Sequence, residues 1–309
     1  MKKLFANSYF IMAMKIVIAM WLIYFLVDYI DSKKIFQNLE SLNIFYLFAA
    51  ILVIPINIWV QLKKWLVISK QVLNIHDSVV IRHSLYQGFV AGLITPFRAG
   101  EYIARNLPLK ADPIKVALAT LVDKLFNMFI ILLLGAIALV YLLLKINEMI
   151  LFFEFILILL VISAGLIVSF KKEYLYRILN SKLLQKTRLG KILKEYKIYP
   201  FSFYLVIFLF SLLHYFLTLL QYSLVLISLN SFDSLFNLIW FASLLLFGKT
   251  IIPPFTFGEL GIREASSVYF SKYFLITKAM AFNSTILIFT INLLMPSIWG
   301  LLFLFKEKS

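Results

Sequence analysis

The sequence predicts an all-α integral membrane protein with about six full spans and two re-entrant helical hairpins in an inverted repeat. Counted another way, it has eight membrane helices. Three observations lead there. First, the 309-residue chain is 62% apolar and 15% charged, whereas soluble domains sit near 45–50% and about 25%. Its long apolar runs, such as 130–144 and 201–213, suit spans of about 20 residues. Second, the formal charge of +15 falls between the apolar segments, as an excess of cytoplasmic Lys and Arg does. That placement points to membrane topology and away from nucleic acid. Third, a polar motif occurs twice. Residues 95–105 read T-P-F-R-A-G-E-Y-I-A-R and residues 253–263 read P-P-F-T-F-G-E-L-G-I-R, sharing P-F-x-x-G-E-x-x-x-R.

The segments follow in order. Residues 8–28 form a first, uncleaved helix. The start Met1-Lys2-Lys3 resembles that of a signal peptide, but Asp28-Tyr-Ile-Asp31 stands where a small-residue cleavage site would be. Lys15 would snorkel to the cytoplasmic interface. Residues 44–62, 116–144, 149–170, 201–229 and 279–305 are further spans. Residues 79–104 and 238–277 are interrupted by Pro and Gly and carry several charges. The 171–200 loop holds nine Lys/Arg against two Glu and is assigned to the cytoplasm. So are 63–78 (Lys63, Lys64, Lys70) and 105–115 (Arg105, Lys110, Lys115). The loops 145–148 and 230–237 are nearly free of cations and are assigned outside. Segment 79–104 then enters and leaves from the inside, and 238–277 from the outside. The Lys33-Lys34 pair, outside in this scheme, is its one exception. The expectation is a single polytopic domain over 1–309 in the cell (cytoplasmic) membrane, with both termini cytoplasmic. Its pseudo-repeat halves are about 1–145 and 146–309, joined near 145–149.

Inverted repeats of this kind place a site near midplane, where broken helices meet. Irregular backbone at that depth is tolerated where it is buried in protein or lines a cavity. Pro96 and Pro254 cannot continue a preceding helix, and Gly100, Gly258 and Gly261 permit a tight turn. Glu101/Arg105 and Glu259/Arg263 are spaced i, i+4 on one helix face. Two readings are open. Each pair neutralises itself and makes a hairpin tolerable in lipid, or the two tips converge on a polar cavity. In the second, Arg98, Arg105 and Arg263 supply forked anion binders, with Lys249 and Lys124 nearby. Glu101, Glu259, Glu264 and Asp123 then orient the cations or carry a coupled proton. Arg82 and His83 precede the first motif. His214 reads as a hydrogen-bonded core histidine, and Asn57, Asn283 and Asn292 as contacts between helices. The chain has no cysteine, and no metal site or cofactor is expected. There is no G-x-x-x-x-G-K-[ST] nucleotide loop.

On these residues the chain resembles the flippase-like transmembrane family typified by the membrane half of lysylphosphatidylglycerol synthases, the multiple peptide resistance factors. Its first motif, P-x-x-x-G-E followed by Arg, falls on Pro96, Gly100, Glu101 and Arg105. The second, P-x-x-G-G-x-G-x-R-E, falls on Gly258, Gly261, Arg263 and Glu264, with Glu259 in place of a glycine and Pro254 one residue earlier than the motif's proline. Asp123-Lys124 matches an acidic–basic pair at the start of the next span. The resemblance implies translocation of lipids with an anionic or phosphorylated head group between leaflets. The aminoacyl-transferase half is not in this sequence, so aminoacylation is not expected. An enzyme acting on lipid phosphates is disfavoured by three scattered His, and the one D-x-x-D, Asp28-Tyr-Ile-Asp31, stands apart from both motifs in the sequence. The alternative is a non-catalytic partner of a polyprenyl-linked or cell-envelope glycan pathway, beside a glycosyltransferase or lipid-synthesis enzyme.

Overall fold

The computed structural model describes residues 17, 20–21, 23–95, 98–146, 199–252 and 261–306, and among them it is helical with no strand. After helical residues 23–30, the elements are α1 (Ser32–Glu40), α2 (Ile44–Val72), α3 (Ser78–Ile94), α4 (Gly100–Ala104) and α5 (Asn106–Leu109). Then come α6 (Pro113–Lys145), α7 (Phe201–Ser228), α8 (Leu235–Ile251), α9 (Ile262–Ser271), α10 (Lys278–Phe289) and α11 (Met295–Lys306). A π-helical turn, Thr290–Leu294, joins the last two.

Among the described residues, four stretches are long and apolar enough to cross a membrane: α2, α6, α7 and Lys278–Leu301. These match the expected spans 44–62, 116–144, 201–229 and 279–305. The expected span 149–170, the basic loop 171–200 and most of 8–28 lie outside the described residues. The α2 pattern is inverted relative to a helix in water. Leu52, Ile56 and Trp59 are exposed, while Asn57, Val60 and Lys64 are buried. A hydrocarbon surround favours that arrangement, because polar side chains then face the bundle interior.

The two interrupted segments are both helical hairpins. Their first arms, α3 and α8, are 17 residues each. At 1.5 Å per residue that is about 25 Å, short of a ~30 Å hydrocarbon core. Each arm stops at a residue that precedes proline. Thr95 and Ile252 are extended, with ψ of 141° and 120°, because a following proline disfavours the helical region. In the first hairpin α4 and α5 fold back on α3. Ser84 Oγ donates to the Arg105 carbonyl at 2.7 Å, and Gly100 N–H donates to Thr95 Oγ1 at 2.7 Å. In the second, α9 folds back on α8: Ser266 Oγ donates to the Leu245 carbonyl at 3.2 Å, and Phe241 meets Phe274 edge-on at 5.8 Å.

The chain sorts into two compact units, Met1–Gly135 with Val206–Ser309, and Ala136–Leu205. Both hairpins belong to the first. There α2 and α7 run antiparallel, tied by Gln221 Nε2 donating to the Ala50 carbonyl (3.3 Å) and Asn57 Nδ2 donating to Gln221 Oε1 (3.2 Å). Asn292 Nδ2 donates to the same Gln221 Oε1 at 2.9 Å. Asn283 Nδ2 donates to the Ile35 carbonyl at 3.0 Å, so Asn57, Asn283 and Asn292 each bond a second helix. Ser297 Oγ joins α11 to α3 through the Phe89 carbonyl at 3.2 Å. In the second unit, the described residues are the adjoining ends of α6 and α7 with short flanking stretches.

Two expectations about loops change. The 63–78 stretch is not a loop, because α2 runs on to Val72. Residues 29–43, expected between spans, contain α1, which starts at Asp31 with its side chain accepting from Lys33 N–H. Close approach of α6 and α8 gives a direct test of packing. A Cβ on Gly135 would lie 2.5 Å from Phe247 Cβ. Gly135→Leu is expected to destabilise the protein by about 1–3 kcal/mol or more, read as a lowered melting temperature in detergent.

Candidate functional site

The first hairpin is fastened by its own charges. Glu101 and Arg105, one turn apart, lie along a groove made by Gly88 and Gly92 of α3, also one turn apart. A Cβ on Gly92 would lie 2.7 Å from Glu101 Oε1, and one on Gly88 would lie 2.9 Å from Arg105 Cγ. Only glycines leave room for these two long side chains at such range. Both are out of solvent, Glu101 at 0% and Arg105 at 1% exposure.

Five other residues complete the cluster. Arg105 Nη2 lies 3.4 Å from Glu101 Oε2, and Arg105 Nη1 lies 3.0 Å from Asp123 Oδ2. Its guanidinium stacks 4.4 Å above the Trp65 ring, a cation–π contact that suits a desolvated Arg. Lys124 Nζ reaches Glu101 Oε2 at 2.5 Å, and Arg98 pairs with the other oxygen of Glu101. On α2, Lys64 Nζ lies 2.6 Å from Asp123 Oδ1 and donates to Asn127 Oδ1 (2.7 Å) and Ser211 Oγ (3.1 Å). The two carboxylates thus hold α2, the first hairpin and α6 together. Asp123 is 5% exposed.

The second hairpin is built differently. Gly261 adopts φ 85° and starts α9. Glu264 Oε2 accepts from Gly261 N–H at 2.6 Å, capping the helix start, while its Oε1 accepts from Arg263 Nη2 at 2.7 Å. The Arg263 guanidinium lies 5.1 Å from the Phe289 ring. So Arg263 is paired with its neighbour Glu264. Pro96, Pro254, Gly258 and Glu259 lie outside the described residues.

The two hairpins contribute to one cavity of ≈ 140 Å³, well above the ~10–15 Å³ that one water requires. Arg98 from the first hairpin and Lys249 and Arg263 from the second line it. Asn57, Gln61, His214 and Asn292 line it too. Lys249 sits in the last turn of α8, where the helix dipole favours a cation. Arg98 takes a left-handed φ of 53° at the hairpin break, a conformation that costs an L-residue roughly 1–2 kcal/mol. His214 Nδ1 is hydrogen-bonded to Asn57 Oδ1, and Gln61 Nε2 donates to the same oxygen at 3.3 Å.

Of the sequence-selected residues, Arg98, Arg263 and Lys249 meet at the cavity. Arg105, Glu101 and Asp123 are buried beside it, with the partly exposed Lys124 on Glu101, and Arg105 is not among the lining residues. Arg82 is exposed on α3 and belongs to neither group. Lys64 was counted as a loop cation and is instead a member of the buried cluster. Its signal was legible in spacing: Asn57, Gln61 and Lys64 form a polar stripe at i, i+4, i+7 inside an apolar segment. Gly88 and Gly92 were also missed, although a Gly-x-x-x-Gly in an apolar stretch marks close helix approach. Among the described residues no group of three or more His, Asp and Glu could hold a metal ion.

Long apolar helices, with polar residues turned inward and two charged hairpins, define a helical integral membrane protein. The chain belongs to the lysylphosphatidylglycerol synthase transmembrane-region family, whose model matches residues 12–300. A comparison with curated proteins gives no match. The family relates this membrane domain to lipid modification or flipping.

Removing one partner of a buried ion pair strands the others, at about 3–5 kcal/mol. Asp123→Ala should therefore cost that much, leaving Lys64 and Arg105 buried around a lost carboxylate. The paired Lys64→Met/Asp123→Asn exchange removes one cation and one anion together and should lose less. Thermal unfolding of both variants in detergent checks the order.

Proposed function

We propose that this protein translocates lipids with an anionic or phosphorylated head group between membrane leaflets, as a transporter and not as an enzyme. The observation that carries this reading is the cavity to which both copies of the motif bring an arginine, Arg98 and Arg263, with Lys249 from the last turn of α8. The head group sits in this polar cavity while the acyl chains stay in the bilayer. Arg98, Lys249 and Arg263 face the phosphate. Glu101 and Glu264 set the orientation of the arginines beside them, and Arg105, Asp123 and Lys124 hold the first hairpin in place.

On this reading the hairpins are re-entrant, one from each leaflet, in an inverted repeat. The short first arms support it, since neither is long enough to cross and each ends at a proline. Both termini are cytoplasmic in the cell membrane, and membrane lipids are the partners. With no nucleotide-binding loop in the sequence, movement is passive or driven by a gradient.

Reconstitution in liposomes with fluorescent head-group lipids measures exchange by dithionite quenching. Wild type should exchange lipid, and Lys249→Gln and Arg263→Gln should slow it about tenfold or more, the loss of roughly 1.4 kcal/mol. Arg263→Lys, which keeps the charge beside Glu264, should retain part of the rate. Equal, slow exchange by all four proteins would remove the proposal. Orientation has a separate test, because the chain lacks native thiols. Cysteines at Ser231 and Lys110 should react with an impermeant maleimide from opposite sides, and labelling of both from one side overturns the hairpin assignment.

A further inference from the structure

We infer that one wall of this cavity is a set of hydrogen-bond acceptors that reads donors on the lipid head group, hydroxyls or an ammonium, and that His214 belongs to it through Nε2; the inference rests on the lipid-translocation reading. The wall is built on a network that runs in one sense. Its root is the Ala50 carbonyl of α2. A carbonyl can only accept, so Gln221 must turn its amide nitrogen there, and Nε2 donates at 3.3 Å. Gln221 Oε1 is left as an acceptor, and it takes two donors, Asn57 Nδ2 at 3.2 Å and Asn292 Nδ2 at 2.9 Å. Both asparagines must then turn their oxygens the other way. Asn57 Oδ1 accepts from Gln61 Nε2 at 3.3 Å and from His214 Nδ1. An amide oxygen cannot donate, so the proton of that last bond sits on Nδ1. In the neutral ring Nε2 then holds a lone pair.

The direction of every amide thus follows from one backbone group. Donors are spent inside the network, and acceptors are left for the cavity. Gln61, His214 and Asn292 all line it, and Gln61 Oε1, His214 Nε2 and Asn292 Oδ1 have no hydrogen-bond donor among the described residues. Thr218, also in the lining, donates its hydroxyl to the His214 carbonyl at 2.9 Å, which leaves its oxygen free to accept as well. Acceptors left unmet away from bulk water are costly, so this wall is completed by water or by donors on a ligand. The four accepting atoms are neutral. The selection they make is therefore separable from head-group charge: a head group with O–H or N–H donors is held, and one of equal charge without them is not.

Two charge-matched pairs of dioctanoyl lipids test this on the full chain in detergent, read as concentration-dependent thermal stabilisation. Phosphatidylglycerol should bind about fivefold tighter than phosphatidylmethanol, which has the same charge and no hydroxyl. Phosphatidylethanolamine should likewise exceed phosphatidylcholine, which has the same net charge and no donor. A preference in one pair alone assigns the wall to that donor. Gln61→Met should shrink the preferences while leaving phosphatidylmethanol and phosphatidylcholine binding in place. Nitrogen NMR of protein labelled at its three histidines reads the network directly, with His214→Gln assigning the signal. His214 should carry its proton on Nδ1, and its Nε2 resonance should move with phosphatidylglycerol and not with phosphatidylmethanol. Both wild-type readings hold even if a variant fails to fold. If the lipids bind and neither pair differs, or if the His214 proton sits on Nε2 alone, the acceptor wall is wrong and lipid translocation still stands. If no lipid stabilises the protein, both fall.

Discussion

Two carboxylates with no exposure to solvent, or nearly none, organise the first hairpin. Glu101 and Asp123 each contact more than one cation, and the cations come from α2, the hairpin and α6. A lone charge at membrane depth costs roughly 2.5–3.5 kcal/mol on insertion scales. A cluster in which every carboxylate oxygen faces a cation offsets that cost only if the helices stay in register. The charges therefore act as a geometric lock: the hairpin can sit among apolar helices, provided that α2 and α6 present Lys64, Asp123 and Lys124 at the right height.

The glycines make the lock possible. Gly88 and Gly92 let the returning arm bring Glu101 and Arg105 against the backbone of α3, and Gly100 passes under the Ala91 carbonyl, where a Cβ would sit 2.6 Å from that oxygen. Thr95 then closes the tip, accepting from Gly100 N–H and donating to the Ala91 carbonyl at 2.6 Å. With the acids held behind, Arg98 is left at the cavity edge. In the second hairpin one residue does both jobs, since Glu264 caps α9 and pairs Arg263. The two hairpins reach a similar outcome, an arginine at a shared cavity, through different local chemistry. Among the described residues, Glu101 takes Arg105 at i+4 in the first hairpin, and in the second Arg263 pairs with Glu264, the acid beside it.

The cavity wall also contains a backbone irregularity. The π-helical turn Thr290–Leu294 presents Asn292 to the cavity, four residues before Pro296 in α11. A π-turn inserts an extra residue into the helical ladder and often accompanies functional sites. Here the amide of Asn292 faces the cavity, and Gln221 of α7 fixes it in place.

Much of the architecture could be read from the chain alone. Apolar length marked α2, α6, α7 and the α10–α11 stretch, because a hydrocarbon solvent demands such runs and nothing in a soluble core does. Proline after an extended residue marked both hairpin breaks, a constraint local to two residues. The repeated motif marked where the charges would gather. What the sequence could not decide was which charges face one another. Lys64 lies 59 positions from Asp123, and it reads as a loop cation until α2 proves to run on to Val72. Arg105 and Arg263 occupy matching motif positions, yet one is buried against Trp65 and the other lines the cavity. Local composition sets the cost of a charge in the membrane, but only the packing of distant helices decides whether that charge is met by a carboxylate or left facing a space large enough for a ligand.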